Sequence, residues 1–83
     1  RADDVANLLA HLHVQALRDP TGSTARYGER AFASARGRHD ADDLRTRTAA
    51  TLLGYASGPW SRQEEGWADR VDRLIDAAAD WLP

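Results

Sequence analysis

Sixteen of the 35 apolar residues in this 83-residue chain are alanine, and no other property limits its folds as sharply. Nineteen side chains of valine size or larger remain to fill a core. Burial is worth roughly 25 cal/mol per Å² of apolar surface, and a chain of this length stands near the size at which one core only just offsets chain entropy. Such a sequence needs closely approaching backbones, a partner, or both. Alanine favours helices, β-branched residues are few, and no stretch sustains the alternation of a half-buried strand.

Four segments carry helical periodicity, and the breaks between them carry turn chemistry. The first spans about 3–18, with Val5, Leu8, Leu9, Leu12 and Ala16 along one face. Ala6, Ala10, His13, Val14 and Leu17 widen its apolar arc beyond half the circumference. An arc that wide needs neighbours on two sides. "DPTG" stops this helix. The second spans about 24–36, with Thr21 or Ser23 as N-cap and small inward residues, Ala25, Gly28, Ala31 and Ala35, around Phe32. The third spans about 41–57 behind an Asp40 N-cap, with Asp42 and Asp43 against the positive end of its dipole. It places Leu44, Thr48, Thr51, Leu52 and Tyr55 on one face. "GP" ends it, and Ser61 with Glu64 has the spacing of a capping box that opens a fourth helix over about 62–82. The connections are short, so the expectation is an all-α, small antiparallel four-helix bundle in a single domain, 1–83.

Composition narrows the function classes. The absence of cysteine excludes disulfides and thiolate metal sites. A formal charge of −2 and a pI near 5.8 argue against a general polyanion binder. No apolar run approaches the ~20 residues of a membrane span, and no signal-peptide pattern opens the chain. Eleven arginines and no lysine fit a high-GC genome, and together these features point to a soluble, cytoplasmic, bacterial protein with no membrane contact.

No pattern of catalytic residues stands out. His11 and His13 are two apart, which on a helix separates the imidazoles by about 200°. One zinc ion could not readily take both, and His13, on the apolar flank, needs a hydrogen-bond partner. There is no nucleophile elbow, zincin helix or phosphate-binding glycine loop. The reading is a non-enzyme with no cofactor and no metal. "LRTRTAATL", Leu44 to Leu52, resembles the second-helix region of acyl carrier proteins, which are acidic four-helix domains of this length. That family carries phosphopantetheine on the serine of an Asp-Ser-Leu turn, and the turn here reads Asp42-Asp43-Leu44, so the attachment residue is missing.

Two surfaces remain. Residues 23–47 hold six arginines against four acids, and Arg26, Arg30, Arg36 and Arg38 form a candidate phosphate-binding set. Trp60, Trp67, Leu74 and Trp81 fall at seven-residue intervals. That period drifts only about 20° per heptad, so they make one long apolar seam. Trp67 reads as core, whereas Trp60 and Trp81, at the ends, need a neighbour. The expected function is a protein–protein interaction or oligomerisation module, a small subunit or adaptor, binding a protein partner or a second copy through Val14, Leu17, Trp60 and Trp81. The alternatives are a nucleic-acid-linked regulator using the arginine set, and a helical accessory segment of a larger enzyme.

Overall fold

The computed structural model describes residues 1–83, the side chain of Trp60 excepted, and every regular element in it is a helix. In order these are α1 (Ala2–Ala16), α2 (Ser23–Ala35), α3 (Ala41–Tyr55), a short α4 (Ser57–Ser61) and α5 (Trp67–Trp81). The four long helices pack into the expected all-α bundle. Among the described residues no helix is long and apolar enough to cross a membrane.

Local chemistry fixes the starts of α2 and α3. The Asp40 carboxylate accepts a hydrogen bond from the Asp43 backbone N–H at 2.8 Å, the N-cap its position suggested. At α2 the capping carboxylate comes from further back. Gly22 takes the N-cap position with φ 78°, a left-handed conformation suited to a residue without Cβ. Asp19 reaches over it to accept from the backbone N–H and the hydroxyl of both Thr21 and Thr24, at 2.6–2.9 Å. Neither Thr21 nor Ser23 takes the N-cap position, although the Thr21 hydroxyl accepts from the Ser23 backbone N–H at 3.2 Å. The "DPTG" stop of one helix is therefore the start of the next. These bonds, the Thr21 hydroxyl's first among them, hold the Asp19 carboxyl far below the usual carboxylate range.

α3 lies in the middle, packed against α1 on one side and α5 on the other, while α2 packs on α1. Arg47 pairs with Asp3, and the Thr51 hydroxyl donates to the Asn7 side-chain oxygen at 3.5 Å. The two pairs share one sequence separation, so α1 and α3 run in the same direction, with α2 and α5 opposed to them. The wide apolar arc of α1 thus has its two neighbours. The face it buries is Ala6, Leu9 and Ala10, leaving Leu8 outside.

The interior is as lean as the composition implied. Ala10, Ala49, Leu52, Leu74, Ala77 and Ala78 form the central cluster, with Val14, Ala56 and Trp81 against it. Leu9, Leu44, Leu52 and Thr48 are its largest fully enclosed side chains. The Thr48 hydroxyl is satisfied by the Leu44 carbonyl one turn back, at 2.7 Å.

The fourth expected helix, 62–82, starts late, and a short helix that was not expected precedes it. Ser61 lies at the end of α4, and its hydroxyl donates back to the Ser57 and Gly58 carbonyls, at 2.8 and 3.2 Å. The Glu64 carboxylate accepts from Arg62 Nε and Arg70 Nη1 instead of closing a capping box. Gln63 (φ 50°) and Gly66 (φ 73°) both turn left-handed, and α5 begins only at Trp67. That late start puts Trp67 in the first turn, 38% exposed, where the seam had suggested core. Pro59, by contrast, is buried within the first turn of α4, where its missing N–H costs nothing.

Gly28 of α2 faces Leu12, and a Cβ at that position would stand 3.8 Å from Leu12 Cβ, an ordinary contact. Gly28→Ala should therefore gain most of the helix-propensity difference, about 0.5–1 kcal/mol. In a domain of this size that raises the thermal midpoint by several degrees, on the order of 2–8 °C. Circular-dichroism melts check it, and a lowered midpoint would mean that α1 and α2 rely on the missing methyl.

Candidate binding grooves

Trp81, at the end of α5, organises one end of the molecule. Its indole Nε1–H donates to His13 Nδ1 of α1 at 2.7 Å, and Phe32 of α2 meets the indole edge-on at 5.5 Å and 80°. The Arg45 guanidinium of α3 lies 5.0 Å from the Phe32 ring centre and 5.6 Å from that of Trp81. His13 thereby gains the partner its position demanded, and accepting through Nδ1 requires the tautomer that carries its proton on Nε2. Trp81 finds its neighbours within its own chain and is half-buried.

Two grooves flank the C-terminal half of α1. The first, with a cavity volume of ≈ 510 Å³, lies between the ends of α1 and α3, α4 and the start of α5. Val14, Leu17, Pro59 and Leu74 give it apolar walls, and Arg18, Arg62, Arg70 and Arg73 stand around them with Glu64. The second, ≈ 480 Å³, runs between α1 and α2 to the Trp81 cluster and includes Leu12, Gly28 and Phe32. Leu17, 49% exposed, borders both. Of the residues singled out by sequence, Val14 and Leu17 are brought together at the first groove and Trp81 lines the second. Val14 is also half-covered by the core cluster. The Trp60 side chain lies outside the described residues.

The arginine set behaves differently. Arg26, Arg30, Arg36 and Arg38 are all exposed, along α2 and the turn after it. Arg26 Nη2 donates to the Ser23 hydroxyl at 3.3 Å, and Arg36 lies 5.9 Å from the Phe32 ring centre. Among the described residues the ion pairs involve other arginines: Arg47 with Asp3 and Asp43, and Arg62 and Arg70 with Glu64.

Set against known protein families, curated proteins and solved structures, the chain matches none. The geometry alone carries the reading of function. Among the described residues no three histidine, aspartate or glutamate side chains gather as a metal site would require. His11 is exposed and His13 half-buried, so the two imidazoles part as helix geometry dictates. Sequence reasoning passed over Arg18 and Arg73 of the first groove. Arg18 follows the first helix, and Arg73 sits among the carboxylates of the α5 back, where a cation reads as a solvated partner.

Burial pushes His13 below its ordinary value of 6.5, against the opposing pull of the Asp80 carboxylate. The unfolded chain takes up this proton at a higher pH than the folded one. The contribution of His13 to stability is therefore complete above about pH 6.5 and is lost as pH falls through its lower folded-state value. Protonation also removes the acceptor that Trp81 uses. Urea midpoints should fall between pH 7.5 and 5.5, and His13→Asn should flatten that interval. An unchanged slope in the variant would assign the pH dependence to other groups.

Proposed function

We propose that this chain is a non-enzymatic protein-interaction or oligomerisation module. One observation supports the reading above others: the distribution of apolar side chains is inverted in size. The buried apolar set contains six alanines and four leucines, while Leu8, Leu17, Tyr27, Leu53, Tyr55, Trp67, Ile75 and Leu82 are exposed. A chain with so few large apolar side chains gains little by leaving these in water, and exposed apolar groups that lie together, as Leu17 does with Val14 along the first groove, mark contact surfaces. Leu17 and Val14, at the groove end of α1, are the anchors on this reading, with Trp81 as a wall the module supplies itself. The absence of cysteine and the arginine-only basic set favour a bacterial cytoplasmic setting.

Light scattering on the purified domain at micromolar concentration should give at least a dimer, or a stoichiometric complex when the natural partner is co-purified. Leu17→Glu should reduce that association without loss of helical ellipticity, since the side chain is half in water already. A monodisperse monomer that captures nothing in a pulldown would refute the reading.

A second reading has its own support, because no carboxylate pairs with Arg26, Arg30, Arg36 or Arg38 among the described residues. Guanidinium groups one turn apart and without a carboxylate partner, as at Arg26 and Arg30, suit phosphate oxygens. If the chain is a nucleic-acid-linked regulator, fluorescence polarisation with duplex or single-stranded DNA will show binding that weakens steeply with salt. Alanine at the four arginines should abolish it. Binding that is indifferent to salt or to those substitutions would rule this reading out.

A further inference from the structure

The first groove is cationic in a molecule that is not. The chain carries a net −2, yet four arginines and a single glutamate line this cavity. The glutamate is already committed. Glu64 accepts from Arg62 Nε and from Arg70 Nη1, both at 2.5 Å, and these guanidinium groups, Arg62 first, hold its carboxyl below the usual range. The groove thus contains one example of a carboxylate clamped between two guanidinium groups. Arg18 and Arg73 have no such partner among the described residues.

Beneath the charges lies an apolar surface of Val14, Leu17, Pro59 and Leu74. The backbone adds to its width. A Cβ at Gly54, inside α3, would meet no described atom within 4 Å, so intrachain packing gives no reason for glycine there. Glycine inside a helix costs about 0.8–1 kcal/mol relative to alanine, and here its effect is to leave the wall of the groove open. The volume of ≈ 510 Å³ falls in the range of small-molecule sites, about 300–1,000 Å³. Apolar walls with a few convergent polar groups are the usual make-up of such sites.

We infer that this groove is a binding site for a small amphiphilic carboxylate, its tail on Val14, Leu17 and Leu74 and its head between Arg18 and Arg73. The head group is an anion because the two uncommitted groups are guanidinium, whose planar fork matches a carboxylate. The tail is apolar because Val14, Leu17, Pro59 and Leu74 offer it carbon surface, with the Tyr55 and Ser57 hydroxyls as the neutral polar groups of the lining. This site shares Val14 and Leu17 with the proposed association surface, so the carboxylate and a protein partner compete for it, and its test reads ligand binding directly on the 83-residue chain.

The probe is octanoate, followed by ¹H–¹⁵N NMR at concentrations below micelle formation, with octanol, octylamine and acetate as the other arms. Octanoate should give saturable shifts confined to amides of residues 14–18, 54–58 and 70–74. Octanol should bind at least about tenfold more weakly, the scale set by a lost charge-assisted hydrogen bond. Acetate and octylamine should produce no saturation. The double variant Arg18→Ala and Arg73→Ala should lose the preference for octanoate over octanol with its helical spectrum intact. Gly54→Leu, which fills the cavity from a position with free space, should remove binding of both. Glu64→Gln, which releases Arg62 and Arg70, should tighten octanoate. Shifts that never saturate, equal response to octanol and octanoate, or undiminished binding by the arginine variant would overturn the site.

Discussion

The indole of Trp81 is where the four long helices meet. Its N–H is taken by His13 of α1, its edge by Phe32 of α2, and its face is shared with Arg45 of α3. Aromatic pairs of this kind contribute about 0.5–1.5 kcal/mol beyond the area they bury, which is substantial where the interior is mostly alanine. The arrangement also has topological weight. α2 packs chiefly on α1, and Phe32 is the residue through which it reaches α5. The cluster converts a three-helix layer with a flanking helix into one body.

Backbone-level features of this fold were legible because they depend on residues close in sequence. The periodicity of Leu44, Thr48 and Leu52 and the cap at Asp40 place α3 without any knowledge of its neighbours. Where a residue has two local options, the sequence alone does not choose between them. Ser61 and Glu64 have capping-box spacing, but Glu64 has guanidinium groups on both sides and the serine sits at the end of a preceding helical turn. Asp19 is the converse case: it reads as part of a stop, yet it caps a helix whose own first residues offered two hydroxyls. A carboxylate accepting two backbone N–H groups offers more than either hydroxyl could.

The grooves were half legible for a related reason. Excess apolar arc on α1 announced that Val14 and Leu17 face something other than water, whichever element covers them. The pairing of His13 with Trp81 was signalled only as a need, since 68 residues separate the partners. Arg73 carried no signal at all. Acidic residues surround it in sequence, and only the fold brings it into the lining of the groove that Arg18 also borders. Charge in a sequence is one-dimensional, whereas the field inside a groove is summed over elements that meet there.

The alanine interior has a thermal consequence. The heat-capacity increment of unfolding grows with newly hydrated apolar surface, about 0.45 cal/mol/K per Å², and typical domains reach about 12–15 cal/mol/K per residue. Here the enclosed side chains are small and many of the large ones are already hydrated in the folded state. The increment is correspondingly low, and the curve of free energy against temperature is broad and shallow. The stability of a molecule built this way changes slowly on warming or cooling.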